Sequence, residues 1–218
     1  MCMEISRKAR GGVRVAIINY GVGNLLSIYA AFKRAGASPE IVEDLREAGE
    51  LDAVVFPGVG AFKPAIRKLQ EGRDPVSRLL EEKPILGICL GMQLLYGRSE
   101  EGCPQGEYIQ GLGVFRGDVR RLPAGVKIPQ MGWNTLRIIR KDCPLLSGIP
   151  DGVHVYYANS YAPGPSEDTA AVTEYGVEFT AVAQRGRIFG TQFHPEKSGR
   201  WGLKIIENFI RLVEGARG

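Results

Sequence analysis

A short apolar run that passes through two glycines and a cysteine into a helical pattern limits the possible folds of this chain more than any other feature. Ile85–Ile88 has the composition of a buried strand, and Leu90–Tyr96 follows with helical spacing. Cys89 lies between them, in Gly87-Ile88-Cys89-Leu90-Gly91. A strand that turns sharply into a helix leaves little room for Cβ atoms, which explains the flanking glycines. The pattern predicts a nucleophile elbow whose thiol is exposed at a helix N-terminus, where positive partial charge favours the thiolate.

The elbow belongs to a β-α-β-α succession in the first half of the chain. This succession predicts an α/β fold with a mostly parallel sheet flanked by helices on both faces. Sites in such sheets form beyond the carboxyl ends of strands, where Pro57–Gly60 and Cys89 are expected to lie. The predicted strands are Val13–Ile18, Pro39–Val42, Ala53–Phe56 and Ile85–Ile88, and the predicted helices are Leu25–Ala35, Lys63–Leu69, Pro75–Glu82 and Leu90–Tyr96.

The second half is richer in glycine, proline and alternating runs, which predict additional antiparallel strands. Tight turns are expected at Tyr175-Gly176 and Arg185-Gly186, and a closing helix at Trp201–Val213. We expect residues 13–218 to form one domain that follows a tail at residues 1–12. The predicted strands of this half are Trp133–Ile139, His154–Tyr157, Ala170–Glu174, Phe179–Gln184 and Arg187–Gln192.

Composition excludes several classes of protein. The basic residues that give the net charge of +4 are scattered rather than interleaved with aromatic residues, which argues against nucleic-acid binding. No apolar run approaches the length of a membrane span, and the N-terminus has no apolar signal segment, so a cytoplasmic protein is expected. The four cysteines form neither a CxxC pair nor a metal-ligand cluster. We therefore expect reduced thiols, no metal and no cofactor.

A cysteine hydrolase needs an imidazole, and the chain has two histidines. His154 lies in an alternating strand pattern and is expected to face solvent. His194 follows the last predicted strand and precedes a proline, which favours an extended conformation. Residues two apart in extended chain point the same way, so the Glu196 carboxylate is expected to reach the imidazole and fix its tautomer. The alternative is a surface His-Pro turn beside a solvated glutamate.

Acyl transfer also needs hydrogen-bond donors for the tetrahedral oxyanion. The backbone N–H of Leu90 is one candidate. The Pro57–Ala61 loop offers the second, with Val59 and Gly60 as the candidate residues, because glycine permits both close approach and a peptide flip. A plain turn after a strand is the alternative. A second glycine loop, Gly21–Asn24, lacks the third glycine of a dinucleotide-binding motif, since Leu26 stands at that position.

Two separated segments resemble one family. Gly-Ile-Cys-Leu-Gly-Met-Gln around Cys89, with Gln-Phe-His-Pro-Glu-Lys-Ser around His194, is similar to the class I glutamine amidotransferases, whose Cys-His-Glu triad occurs in this order. Three further segments favour the glutaminase subunits of imidazole glycerol phosphate synthases, which act in histidine biosynthesis. These segments are Asn19–Leu25, Pro57–Phe62 and Pro129–Asn134, and the resemblance extends from about Val13 to Val213.

The resemblance implies a mechanism and a partner. Cys89 attacks the side-chain amide of glutamine, ammonia leaves with a proton from His194, and water hydrolyses the thioester. Ammonia then passes to a cyclase partner, a (β/α)₈ barrel, with which such subunits form a heterodimer. By match to family positions, glutamine is bound by Gly58, Gly60, Gln93, Ser160 and Tyr161, and the partner contacts Asn24, Gln130, Trp133 and Lys197.

One departure from the family and three alternatives stay open. Relatives often carry His where this chain has Asn159, which preserves hydrogen bonding but removes acid–base chemistry there. The first alternative is an amidotransferase subunit of another pathway. The second is a cysteine peptidase-like hydrolase, in which an imidazole often follows the nucleophile directly, whereas Leu90 does here. The third is a non-catalytic binding module, which the presence of all three triad residue types disfavours.

Overall fold

The structure is a computed structural model that describes residues 12–21, 24–58, 60–71 and 73–216. Of the predicted tail, only Gly12 belongs to the described residues, and it is exposed and without regular secondary structure. Within this part of the chain, none of the helices combines the length and the apolar composition that crossing a bilayer requires.

The described strands form three sheets. The largest has eight strands in the order β2-β1-β3-β4-β14-β13-β12-β9, in which β2, β1, β3, β4 and β14 are parallel and the remaining pairs are antiparallel. This arrangement confirms the predicted α/β class. The strands are β1 Arg14–Ile18, β2 Ser38–Val42, β3 Ala53–Phe56, β4 Ile85–Ile88, β5 Tyr96–Ser99, β6 Ile109–Gln110, β7 Phe115–Arg121, β8 Gln130–Thr135, β9 Arg137–Ile138, β10 His154–Asn159, β11 Tyr161–Pro163, β12 Thr169–Glu174, β13 Glu178–Arg185 and β14 Ile188–Thr191.

Helices cover both faces of the large sheet, because its parallel strands are apolar on both sides. On β1, Val15 and Ile17 pack into the core beneath α1 and α6, whereas Ala16 and Ile18 pack into the core on the opposite face. The helices are α1 Leu25–Arg34, α2 Leu45–Gly49, α3 Phe62–Glu71, α4 Arg73–Glu82, α5 Leu90–Leu94 and α6 Gly199–Ala216.

Two smaller sheets lie beside the elbow. One has the order β11-β7-β5-β6, and the other is a two-stranded antiparallel ribbon of β8 and β10, which we call the β8–β10 ribbon. In this ribbon Gln130 is the cross-strand partner of Asn159, and Trp133 is the partner of Tyr156. Side chains alternate between its faces, so one face is buried and the other is directed outward.

Two predicted elements are wrong in their extent. The helix expected over Leu90–Tyr96 ends at Leu94, and Tyr96 instead begins β5, where it pairs with Phe115. An apolar stretch of this length fits either structure, and the long-range pairing decides between them. The strand expected over Trp133–Ile139 is divided at Leu136 into β8 and β9, which belong to different sheets.

Candidate active site

The turn between β4 and α5 holds Cys89 in an unusual backbone conformation. Its φ is 51° and its ψ is −106°, and it is the one non-glycine residue with positive φ among those the structure describes. Such a conformation costs about 1–3 kcal/mol and persists only where its surroundings fix it. Here the Cys89 N–H donates to the Thr191 carbonyl of β14 at 2.7 Å, and the Cys89 carbonyl accepts from Gln93 N–H at 3.0 Å.

The glycines of the elbow leave no space for a side chain. A Cβ at Gly91 would lie 1.9 Å from the Phe56 carbonyl oxygen, and one at Gly87 would lie 2.7 Å from the Gly91 oxygen. A Cβ at Gly58, just beyond β3, would lie 2.2 Å from the Ile88 oxygen and 2.5 Å from the Leu90 nitrogen. The steric explanation predicted for the flanking glycines is therefore confirmed, and it extends to Gly58.

The chain beyond β14 carries the imidazole. His194 is extended, with φ −94° and ψ 98°, as the following proline predicts. Its Nδ1 lies 2.9 Å from Oε1 of Glu196, and both side chains are only 2% exposed. Nε2 has no hydrogen-bond partner within the described residues, which leaves it available for proton transfer. His154, by contrast, is exposed, as predicted.

The charge state of His194 depends on its neighbours. Burial alone would lower the pKa of the imidazole, but the negative charge and hydrogen-bonding capacity of Cys89, followed by those of Glu196, outweigh it and raise the pKa to about 10. The ring is therefore positively charged at neutral pH when it faces a thiolate. An imidazolium beside the nucleophile is the state in which it can protonate a leaving amine.

A pocket of about 190 Å³ opens at the Cys89 side chain. Two features predicted from sequence meet in it, the end of β3 and the start of α5, together with the segment that joins β10 to β11. Gly60 has a φ of 136°, a conformation that favours glycine. Val59 lies outside the described residues. The lining residues are Gly58, Gly60, Cys89, Leu90, Gln93, Glu101, Pro129, Ala158, Asn159, Ser160 and Tyr161.

Glu101 is a pocket residue that sequence reasoning missed. It follows β5, and its Oε2 accepts a hydrogen bond from the Phe62 backbone N–H at 3.3 Å. Burial raises the pKa of this carboxyl group, and the Phe62 hydrogen bond partly offsets the increase. A correct prediction that α5 ends at Leu94 would have placed Glu101 after a strand, and that was the one sequence signal available.

Gln192 is the second residue that sequence reasoning passed over. It stands two positions before His194 in the motif that carries the resemblance, is fully buried, and directs its Nε2 at the Cys89 sulfur from 3.5 Å. Asn159 is also buried. Its Nδ2 donates to the Tyr161 carbonyl at 3.1 Å.

The residues expected to contact a partner do not all reach the surface. Trp133 is 56% exposed and its ring lies 6.1 Å from that of Tyr156, over which the Nζ of exposed Lys197 stands at 5.9 Å. Asn24 is exposed, but its side chain caps α1 by accepting from Ser27 N–H. The expectation for Gln130 needs correction, because this side chain is buried. Its position on the inward face of the β8–β10 ribbon explains the difference.

Met131 adds a second large apolar side chain to the outward face of the ribbon, with 69% of its surface exposed. We call Met131, Trp133, Tyr156 and Lys197 together the Trp133 surface. An exposed group of aromatic and apolar side chains with a flanking cation is typical of a protein–protein contact.

Sequence comparison identifies the family. A profile described as "Glutamine amidotransferase class-I" matches residues 16–213, and the chain belongs to this family. The chain is 47% identical over 207 residues to "Imidazole glycerol phosphate synthase subunit HisH" of Moorella thermoacetica, a match that covers 93% of this chain and 96% of the relative. It is 45% identical over 204 residues to the protein of the same description from Methanosarcina mazei, covering 91% and 98%.

Solved structures with the same fold are more distant in sequence. A putative GMP synthase protein from Thermoplasma acidophilum superimposes with a TM-score of 0.72 at 20% identity, covering 95% of this chain and 97% of that one. The structure of PurLQS from Thermotoga maritima gives a TM-score of 0.70 at 19% identity, covering 92% and 99%. At these identities the likeness establishes the fold alone.

Proposed function

We propose that this chain is the glutaminase subunit of an imidazole glycerol phosphate synthase, and that it forms a heterodimer with a cyclase subunit. The observation that carries the proposal is the pocket in which Cys89 stands on a strained elbow, close enough to His194 to raise the pKa of its imidazole, while Glu196 contacts the imidazole Nδ1. The identity of the relatives that match at 45–47% over nearly their whole length, each a subunit of imidazole glycerol phosphate synthase, supplies the pathway. We further propose that residues 13–218 act as one amidotransferase domain.

The proposed chemistry follows from the charges of the three side chains. The Cys89 sulfur attacks the side-chain carbonyl carbon of glutamine, and a C–S bond forms. Collapse of the tetrahedral intermediate breaks the C–N bond, and Nε2 of His194 gives its proton to the departing ammonia. Water then attacks the γ-glutamyl thioester while His194 accepts its proton, the C–S bond breaks to return the Cys89 sulfur, and glutamate leaves. Glu196 holds the imidazole in the orientation that both steps need.

The other pocket residues are proposed to stabilise the oxyanion or to bind the substrate, according to their chemical groups. The Leu90 N–H, with a donor from the Val59 and Gly60 segment, is proposed to stabilise the oxyanion. Gly58 brings that segment against the elbow without a side chain in between. Gln93, Ser160 and Tyr161 are proposed to hold the substrate. Glu101 offers a carboxylate for the α-ammonium group of glutamine, because an amino acid bound in a half-buried pocket needs its charge paired.

The Trp133 surface is the proposed contact with the cyclase, a (β/α)₈ barrel, together with Asn24. Ammonia released at Cys89 would enter that partner, which completes the formation of imidazole glycerol phosphate in the cytoplasm. Gly60 has the backbone freedom for the peptide that follows Gly58 to reorient when the partner and its ligand bind. Such a step would prevent the isolated glutaminase from hydrolysing glutamine when no partner is present to use the ammonia.

The test is a glutaminase assay of the chain alone, of its complex with the barrel cyclase, and of that complex with the nucleotide ligand of the cyclase. We expect low activity alone and a large increase in the liganded complex. Cys89→Ala should abolish ammonia release, whereas Cys103→Ala, at a half-buried free thiol outside the pocket, should leave it unchanged. Full turnover by the isolated chain would refute the regulatory part, and activity in Cys89→Ala would refute the whole.

A further inference from the structure

The Cys89 sulfur has a hydrogen-bond donor besides the proposed triad. We propose that Gln192 is a further catalytic residue that stabilises the Cys89 thiolate, and that Gln93 is a positioning residue that orients the Gln192 amide. The distance from Gln192 Nε2 to the Cys89 sulfur is 3.5 Å. The inference takes from the proposed function only the identity of the nucleophile.

The orientation of the Gln192 amide is set by its other end. Its Oε1 accepts a hydrogen bond from Nε2 of Gln93 at 3.0 Å. A primary amide has a donor end and an acceptor end, so this contact requires that the NH₂ group point at the sulfur. Turning the amide over would place two NH₂ groups against each other and an oxygen against the thiolate, which makes the reversed orientation unfavourable on both sides.

The orientation of Gln93 is set in turn by the backbone. The same Nε2 atom of Gln93 donates to the Tyr161 carbonyl oxygen at 2.9 Å. A backbone carbonyl can only accept, so it removes the ambiguity at the start of the series. The sequence of contacts therefore runs from the Tyr161 carbonyl through Gln93 and Gln192 to the sulfur, and each member has its donor end directed toward the neighbouring acceptor.

Burial makes this arrangement rigid and its loss costly. Gln192 is fully buried and Gln93 is 4% exposed. The Gln192 backbone N–H also donates to the Ala181 carbonyl at 2.9 Å, which ties it to β13. A buried amide left without partners would destabilise the protein, and a hydrogen bond from a neutral donor to a thiolate is stronger than one to a thiol because the acceptor is charged. Gln192 therefore favours the ionised sulfur without adding a second positive charge beside His194.

The experiment measures the ionisation of Cys89 directly in the full-length chain, without glutamine. The protein is alkylated with iodoacetamide across a range of pH, and the modified peptides are quantified by mass spectrometry. Cys103, the half-buried thiol outside the pocket, serves as an internal control in every sample. The variants are Gln192→Met, which keeps an unbranched chain of similar length but no donor, and Gln93→Met, which frees the Gln192 amide to rotate.

In Gln192→Met we expect the pH midpoint of Cys89 alkylation to rise by about one unit, which is about a tenfold slower reaction on the acidic side. Gln93→Met should shift it in the same direction by less, and the Cys103 profile should not move. An unchanged Cys89 midpoint in a folded Gln192→Met protein overturns the proposal. If that variant does not fold, an unchanged midpoint in Gln93→Met overturns it instead.

The outcome is independent of the proposed reaction. A shifted alkylation profile with no glutaminase activity in any complex would reject the proposed function and leave the role of Gln192 intact. Normal glutaminase activity in the wild type with an unshifted alkylation profile in the variants would reject the role of Gln192 and leave the proposed function intact. A purely structural Gln192 would change the unfolding free energy without moving the Cys89 midpoint.

Discussion

The two walls of the pocket are fixed in different ways. The nucleophile elbow lies at the end of β4, which is paired on both sides by parallel strands, and its glycines touch neighbouring backbone directly. Among the strands that the structure describes, the two of the β8–β10 ribbon pair only with each other, and the outward face carries the exposed side chains of Met131 and Trp133. Close-packed backbone determines geometry in the first wall, whereas side-chain chemistry determines the character of the second.

This difference separates the part of the molecule that carries the reacting sulfur from the part that offers a surface to a partner. The reacting sulfur needs a position that does not change, and the interior of a parallel sheet provides it. A partner needs exposed side chains, which a two-stranded ribbon offers because half of its residues point away from the core. The walls are still joined, because the His194 N–H donates to the Tyr156 carbonyl at 2.9 Å, and Tyr156 belongs to the Trp133 surface.

The largest effect is expected where the elbow is tightest. Gly91→Ala places a Cβ 1.9 Å from the Phe56 carbonyl oxygen, so β3 and α5 must separate. We expect a loss of about 3 kcal/mol or more in the free energy of unfolding, measured by urea denaturation, with loss of activity. Gly125→Ala is the matched control, because a Cβ there meets no atom of the described part of the chain within 4 Å. Equal stability of the two variants would contradict a backbone-determined elbow.

The ribbon should respond in the opposite way. Trp133→Ala removes an exposed ring, so the free energy of unfolding should change little, while the affinity for the proposed cyclase partner should fall by about 2 kcal/mol, roughly 30-fold in Kd. Calorimetric titration with the cyclase measures this. Ile139→Ala, at an apolar side chain that is 48% exposed outside the Trp133 surface, is the control. Equal loss of affinity in both variants would contradict the proposal that the Trp133 surface is the contact with the cyclase.

The same contrast explains how much of the molecule could be predicted from its sequence. Ala53–Phe56 and Ile85–Ile88 were predicted with their observed limits, because each is an apolar run bounded by turn residues. β5 was missed because Leu95 and Tyr96 are compatible with a helix, and their pairing partner lies near residue 115. Local patterns determine strands that are buried on both faces, but they do not determine strands whose state depends on a distant neighbour.

The residues of the site also differ in whether local sequence or a distant contact defines them. Cys89, His194 and Glu196 were proposed from local chemistry, because an elbow and a His-Pro-Glu segment are visible within a few residues. Glu101 and Gln192 were not, since the contacts that define them reach Phe62, 39 positions away, and Cys89, 103 positions away. Glutamate and glutamine are ordinary surface residues elsewhere, so the residue type alone distinguishes neither; the strand before Glu101 and the motif around Gln192 indicate a place near the site but not a contact.

The segment that joins the two walls, which carries His194 and Glu196, should respond to pH. Glu196→Gln removes one of the two negative neighbours of His194; Cys89 and, after it, Glu196 raise the pKa of this imidazole from 6.5 to about 10 in the folded protein. A raised folded-state pKa contributes stability that is complete below pH 6.5 and is lost as pH rises toward 10. The variant should therefore be less stable than wild type by about 2 kcal/mol at pH 6, and the difference should shrink steadily toward pH 10.

Urea unfolding of wild type and Glu196→Gln at several pH values measures this difference. Glu214→Gln, at an exposed position near the end of α6, controls for the loss of a carboxylate elsewhere. A stability difference that does not vary with pH would mean that Glu196 acts through packing rather than through the charge of the imidazole.

The smallest effect is expected at the edge of the elbow wall, where the Tyr20 hydroxyl donates to the carbonyl of Pro57, the residue before Gly58. Burial, and to a lesser degree the charge of Cys89, raises the pKa of Tyr20, so this hydroxyl stays a donor throughout the working pH range. Tyr20→Phe keeps the ring and leaves the carbonyl without its partner, which should loosen the loop that carries Gly60.

If that loop contacts the substrate chiefly in the transition state, Tyr20→Phe should raise the activation free energy by about 1 kcal/mol. This lowers kcat of the cyclase complex roughly fivefold, with little change in KM. Tyr175→Phe is the matched control, because its hydroxyl also donates to a backbone carbonyl, that of Lys127, at 2.9 Å but outside the pocket. A change confined to KM would place the loop in substrate binding instead. Equal kcat in both variants would mean that the backbone contacts of Gly58 alone hold the loop in place. The rigidity of the elbow wall would then extend past β3 without help from any side chain.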